Sequence, residues 1–432
     1  MSVRLRAAGI LITLIVASRA EAIPAFARKY GMSCTACHVA WPVLNPQGLS
    51  FRDNGYQLGL MKDDPSSAPA AYVPFSARTV PTYQFTRTTN QPGAWGSTET
   101  RTGGIGAPAV DVLAAGTFAP DLSYLVVLAG FTPDEAGSVE SAWARIANIG
   151  GGGWVNLRVG KFEPEQPVSE RRGILRTAGH AVYSARFDGS QVGFDLASNH
   201  VGLELDGHDA RSETHYSIAL LHANGGHGSR GPWSQPVVHA HATRAFEIDS
   251  AALPWLRIGA LGTIGWWPTR FTTSDGTTIV EGTGRDFRKY SRVGAEVSGI
   301  FGHASTPFFW TAVAMHGQEQ GSAPDVDPGL ATRKSSFDGG FLEVNWVPVS
   351  AVAYNATPWV LFARYDVVRY DSGPGDFDGL SAGLRRHMAL GPRASLAVHA
   401  EVHADRTRGT GFQPAGGEVQ VQTALLGFDV CF

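Results

Sequence analysis

The stretch "RASLAVHAEVHAD", Arg393 to Asp405, alternates without a break. Ala394, Leu396, Val398, Ala400, Val402 and Ala404 fall on one side; Ser395, Ala397, His399, Glu401, His403 and Asp405 fall on the other. A period of two belongs to an extended strand, and here it gives one greasy and one wet face. Segments 239–249 and 359–370 repeat the pattern less cleanly. From about residue 213 the connections between such segments alternate in length: 223–237, 268–287, 317–337, 371–377 and 405–418 are long, and 249–254, 300–306, 349–357 and 389–393 are short. Long outer loops alternating with short inner turns are the signature of a transmembrane barrel. A propeller requires a blade repeat of about 40–50 residues, which the sequence lacks. A sandwich of this size splits into domains.

The end of the chain agrees. "ALLGFDVCF" puts Leu426, Phe428, Val430 and Phe432 on one face and finishes on an aromatic. The expected fold class is therefore all-β, a transmembrane β-barrel of antiparallel strands. Eighteen candidate strands can be counted, of which 181–187, 190–197 and 200–206 are short; sixteen is equally acceptable. Both numbers are even, as two termini on the inner side require.

Charged residues are 17% and the net charge is −3, so there is no basic footprint for nucleic acid. No mature segment reaches the ~20 apolar residues of a membrane helix. Arg4 and Arg6, the apolar run Ala7–Ala17 and Ala20-Glu21-Ala22 read as a cleavable signal, residues 1–22, sending the chain to the bacterial outer membrane. Residues 23–60 read as a compact head with short helices over Phe26–Tyr30 and Val43–Tyr56. A Pro-, Ser- and Ala-rich linker follows over 61–75, and 76–432 is the barrel.

Two of the three cysteines in the chain fall in that head, in Cys34-Thr35-Ala36-Cys37-His38. C-x-x-C-H is the attachment pattern of haem c. Two thiols three residues apart reach the two vinyl groups of one porphyrin, and the adjacent His38 is then placed under the ring as proximal iron ligand. A thioredoxin-like C-x-x-C would need a βαβ context of about a hundred residues. A zinc site would need further Cys or His nearby, and no histidine follows His38 before His180. For the opposite face of the iron, Met61, a histidine of the barrel wall and an open site all remain. Met32 lies too close to Cys34 to wrap round easily. Some forty residues cannot wrap a haem and bury a core of their own, so the head is expected to plug the barrel lumen.

The stretch "AIPAFARKYGMSCTACHVAWPVLNPQGLSFRDNGYQL" resembles the N-terminus of the outer-membrane monohaem cytochrome–porin fusions. The matching positions are Ala22, Pro24, Phe26, Ala27, Arg28, Cys34, Cys37, His38, Pro42, Leu44, Gly48, Phe51, Asn54, Gly55 and Tyr56. The match covers about residues 22–60; "VGKFEPE" at 159–165 is similar to wider relatives. The resemblance implies one covalent haem c, a barrel, and single-electron transfer across the outer membrane. In that role Fe(II) outside is the donor and a periplasmic cytochrome or copper protein the acceptor. The cofactor does the chemistry, so no general acid, base or nucleophile is called for. A porin or transporter with a structural or sensory haem is the alternative, and an outward conduit to another acceptor a third.

Other features carry less. The pairs His239/His241 and His399/His403 each share a strand face, readable as polar lumen filling or as a metal- or proton-handling track. The acidic segments Asp134-Glu135, Glu163-Pro164-Glu165 and Asp325-Val326-Asp327 are solvated loops by default, with Fe²⁺ attraction the functional reading. "GLSAG" at 379–383 matches a nucleophile elbow but lies in a strand pattern, not at a strand–turn–helix. Gly150–Gly153 reads as a turn, and Cys431 is left over in the last strand.

Overall fold

The computed structural model describes residues 26, 29–32, 36–40, 43–58, 74–91, 97–106, 109–132, 136–171, 173–185, 195–222, 236–250, 252–268, 270–272, 278–280, 287–302, 306–320, 334–348, 359–371, 375–390, 395–409 and 417–431. The expected signal segment lies outside them, as do Cys34 and Met61.

Sixteen antiparallel staves close into one barrel. The first two are each built from two pieces: β1 from Phe75–Thr79 and Thr82–Gln91, β2 from Thr98–Ile105 and Val110–Ala119. Pro81 sits in the first break, where a residue without an N–H interrupts the ladder. Pairing runs straight through it, because the last strand bonds Val430 and Cys431 to Thr79 and Arg78, then Gly427–Glu418 to Thr82–Gln91. Next come β3 Leu122–Phe131, β4 Ser138–Ile146, β5 Asn156–Phe162, β6 His200–His208, β7 Thr214–His222 and β8 Pro236–Glu247. The ring is completed by β9 Trp255–Pro268, β10 Phe287–Phe301, β11 Phe308–Gln320, β12 Lys334–Trp346, β13 Trp359–Tyr370, β14 Asp376–Leu390, β15 Ser395–Arg408 and β16 Glu418–Cys431.

The lower of the two expected strand numbers is the one found. Of the three short candidates, 200–206 is part of β6, but 181–185 is a turn and 195–199 is not strand. Sequence alternation misleads there because a loop packed inside a barrel also has an apolar and a polar side.

The barrel is turned inside out relative to a water-soluble protein. Along β15, Ser395, Ala397, His399, Glu401 and His403 face inward and are buried, while Val402 is 57% exposed on the outer side. Leu426 and Phe428 of β16 face out as the alternation requires, beside Leu203, Ile218, Leu361 and Leu380. Among the largest fully buried side chains are three arginines, Arg292, Arg364 and Arg385, all pointing into the lumen. A closed ladder leaves no unpaired edge, and an apolar outer band suits hydrocarbon, so this wall spans a bilayer and belongs in an outer membrane.

The described residues of the connection from β5 to β6 (163–171, 173–185 and 195–199) fold into the lumen. Wall side chains hold its backbone. Arg364 donates to the carbonyls of Ala178 (3.0 Å) and Gly179 (2.6 Å), and Arg292 to that of Ala185 (2.8 Å). The Glu401 carboxylate accepts from the amides of Arg176 and Thr177 at 2.8 and 3.0 Å. Val182, Tyr183 and Leu196 are fully buried in consequence.

The head carries one helix among its described residues, α1 (Pro46–Asp53), with Phe26, Lys29 and Tyr30 also helical. The helix expected over 43–56 is shorter at both ends. Val43 and Leu44 are taken by a small antiparallel pair with His38–Ala40. Past Asp53 the chain turns left-handed at Gly55 (φ 66°) and Tyr56 (φ 63°), which ends the helix.

Candidate functional site

The second half of the C-x-x-C-H motif is fastened to the start of α1. Asn45 caps the helix with its side-chain oxygen, which accepts from the Gly48 amide at 2.8 Å. Its side-chain nitrogen donates to the Ala36 carbonyl (3.1 Å), and its own amide donates to the Cys37 carbonyl (3.0 Å). One asparagine thus ties the turn holding Cys37 and His38 to the helix. Gly48 is pressed against the Cys37 carbonyl so closely that any Cβ there would overlap it. The Cys37 thiol is half-buried, and that burial raises its pKa.

The far end of α1 docks on the inner wall. Tyr56 stacks on Trp143 of β4 with ring centroids 5.8 Å apart, and Phe26, Tyr30 and Phe51 pack behind it. Arg145 of β4 donates to the Arg52 carbonyl (3.2 Å) and pairs with Asp206 of β6, which also accepts from Asn156 at 3.0 Å. Glycine at 55 fits because its left-handed backbone lies against the wall, where a Cβ would come within 3.1 Å of Ser123 Oγ.

Below that contact three parts of the molecule meet. Arg52 Nη2 lies 2.8 Å from Asp53 Oδ1 and 3.2 Å from Glu165 Oε1 of the in-folded loop. His215 of β7 faces the same point, and one ligand atom each from Asp53, Glu165 and His215 lie within 4.8 Å of one another. Burial works to raise the Asp53 carboxyl, but the Arg52 guanidinium, and next to it His215, hold it below the usual range. The same balance, with Arg52 the leading cation, holds Glu165 well below it. These groups line a charged cavity of about 270 Å³ between head, loop and wall.

Of the site residues named from sequence, Cys37 and His38 are therefore found on a braced turn in the head, while Cys34 and Met61 lie outside the described residues. Cys37 and His38, a thiol and an imidazole side by side on that turn, are of the type that would hold a haem c, and the barrel wall supplies a histidine with an unused nitrogen. That histidine is His387 of β14, 7% exposed and inward-facing, whose Nε2 has no hydrogen-bond partner among the described residues.

The histidine pairs both line the lumen. His239 bridges Thr263 Oγ1 (2.9 Å) and the Glu165 carbonyl (2.7 Å), and His403 bridges Ser381 Oγ (2.8 Å) and Asp405 (2.9 Å). His239 and His403 are thus held as polar lumen filling, whereas His241 Nδ1 and both ring nitrogens of His399 have no hydrogen-bond partner among the described residues. Glu165 belongs to an acidic segment flagged in the sequence. Asp53 and His215 carried no signal, because nothing local marks residues that meet only across a closed barrel.

Fold and site together define a bilayer-spanning, sixteen-stave barrel, with the end of α1 packed on its inner wall at Trp143 and Arg145. No family model matches the sequence, and no curated protein matches it. Similar solved structures are outer-membrane proteins. An anion-selective porin from Comamonas acidovorans is 9% identical over 83% of this chain and 100% of its own, with a TM-score of 0.48. OmpF of Salmonella typhi, solved with daunomycin, is 11% identical over 83% and 97%, at 0.45. A loop-deleted OmpT of Vibrio cholerae is 12% identical over 83% and 100%, at 0.44.

Proposed function

We propose that this chain is an outer-membrane cytochrome in which a haem c, held by Cys34 and Cys37 with His38 as axial ligand, passes single electrons across the membrane. The donor is extracellular Fe(II) and the acceptor a periplasmic cytochrome or copper protein. The observation carrying this reading is that the Cys37–His38 turn is braced by Asn45 and Gly48 and its helix is anchored to the inner barrel wall. A haem c bound there supplies a one-electron couple. The chain's own residues do the rest. Asn45 fixes the turn, Tyr56 and Arg52 seat the head on Trp143, Arg145 and Glu165, and the barrel carries the head through an insulating bilayer. As a further residue that would hold the iron, His387 has its unpartnered Nε2 in its favour, beside Met61.

The charged cavity of about 270 Å³ favours a second reading, a solute porin whose haem is structural. Stopped-flow visible spectroscopy of the air-oxidised, detergent-solubilised chain separates the two. Rapid appearance of the reduced haem band on mixing with Fe(II), from a barrel silent in planar bilayers, supports the electron path. Reduction by dithionite but not Fe(II), together with open conductance, supports the porin. Absence of covalent haem overturns both.

A further inference from the structure

We infer that Asp53, Glu165 and His215 form a binding site for a divalent first-row cation inside the lumen, where head, in-folded loop and barrel wall meet. Each side chain comes from a different part of the molecule: Asp53 from the end of α1, Glu165 from the loop after β5, His215 from β7. Their ligand atoms already lie within 4.8 Å of one another. Three donors bound to one ion at about 2.1 Å stand roughly 3.0–3.6 Å apart, so a pair at the outer limit closes by about 1–2 Å, within reach of side-chain rotation. Two carboxylates and an imidazole suit Fe²⁺, Mn²⁺ or Zn²⁺ and do not suit a soft ion such as Cu⁺.

A second observation points to a ligand. Glu204 and His241 line the same cavity, 2% and 6% exposed, and neither Glu204 Oε2 nor His241 Nδ1 has a hydrogen-bond partner among the described residues. Buried polar atoms are normally satisfied. Here Oε1 of Glu204 forms an ion pair with Arg158 Nη2, 2.6 Å away, while its other oxygen is left on a cavity wall. A hydrated cation in the cavity supplies what these atoms lack. Arg52 has the matching role: its guanidinium bridges Asp53 Oδ1 and Glu165 Oε1, holding the carboxylates together and leaving the second oxygen of each for the ion.

The naming of Fe(II) as the natural ion rests on the proposed function; the site itself does not. The test titrates the metal-stripped full chain in detergent with Mn(II), reading unbound Mn(II) by electron paramagnetic resonance. One tight ion per chain is expected, displaced by Fe(II). Loss of a ligand in Glu165→Gln or His215→Gln weakens it on the order of tenfold or more. Asp53→Asn serves if either variant fails to fold. Wild-type binding in the folded variants, or no bound ion in the wild type, overturns the site. If Mn(II) binds as expected but Fe(II) never reduces the haem, the site stands and the Fe(II) donor reading falls. If Glu165→Gln abolishes Mn(II) binding yet the Fe(II) concentration for half-maximal haem reduction is unchanged, the site is not the one Fe(II) uses.

Discussion

Gly48 and Cys37 are in backbone contact: the first turn of α1 packs on the carbonyl of the motif's second cysteine, with no room for a side chain between them. Gly48→Ala forces one of two backbones to move, because no flexible side chain can give way. Overpacking of this kind costs about 1–3 kcal/mol. The variant is expected to assemble its barrel normally but to carry less covalent haem per chain, as read by the ratio of haem to protein absorbance. Gly152→Ala, where a Cβ would meet nothing within 4 Å, is the matched control and leaves the ratio unchanged. An unchanged ratio in Gly48→Ala would sink the claim that this contact sets the turn.

Arg145 joins barrel and head, through Asp206 on one side and the Arg52 carbonyl on the other. Arg145→Met keeps the length of the side chain and removes the charge, so Asp206, 3% exposed, keeps Asn156 as its one side-chain donor among the described residues. Breaking one side of a buried pair costs about 3–5 kcal/mol. The variant should lose its heat-resistant gel mobility at a lower temperature than the wild type. The double variant Arg145→Met/Asp206→Leu should recover part of the loss, since it leaves no buried charge uncompensated.

His180 latches the in-folded loop. Its Nδ1 lies 2.6 Å from Glu170 of the same loop and its Nε2 3.5 Å from Glu343 on the wall, with Arg364 opposing. Burial alone would lower its pKa, but bonds to Glu170 and then Glu343 raise it overall. A raised folded pKa gives stabilisation that is complete below the unfolded value of about 6.5 and is lost as pH rises through the folded value. Glu170 acts at the other end: burial would raise it, His180 holds it low, and its contribution is lost as pH falls below about 4.3. Amide exchange of residues 176–183 is therefore expected to be slowest in mildly acidic solution and to speed up above it. His180→Gln should flatten the alkaline side of that profile; a wild-type profile in the variant would remove His180 as the latch.

The barrel was legible because a bilayer imposes its demand on every residue of a strand. His399, Glu401 and His403 had to alternate with Val398, Ala400 and Val402, and a period of two survives in the letters. The braced turn was half legible: Cys37 and His38 announce themselves, whereas Asn45 and Gly48 act through backbone atoms that no motif spells out. At 181–185 and 195–197 the alternation suggests strands that are not there, since Tyr183 and Leu196 are buried by the lumen, not by a sheet neighbour. The meeting of Asp53, Glu165 and His215 was not legible at all. Closure of a sixteen-stave ring brings it about, and sequence separation holds no trace of it.

Val402 tests what lies outside the barrel. It sits near the middle of β15, between Ala382 and Ala424 on the neighbouring staves, and is 57% exposed. On a water-facing surface Val402→Arg would be almost without effect, because exposed positions away from special features tolerate change within about 0.5 kcal/mol. Facing the bilayer midplane, the same arginine costs about 2–4 kcal/mol. Refolding from urea into lipid vesicles should therefore shift its midpoint clearly downward for Val402→Arg. Lys or Arg at a strand end near the interface should cost about 0–1 kcal/mol. The depth dependence is the decisive part: a penalty that fades from Val402 toward the ends of β15 marks a hydrocarbon slab, whereas a uniform small effect along the strand would mean that the exposed apolar band faces water.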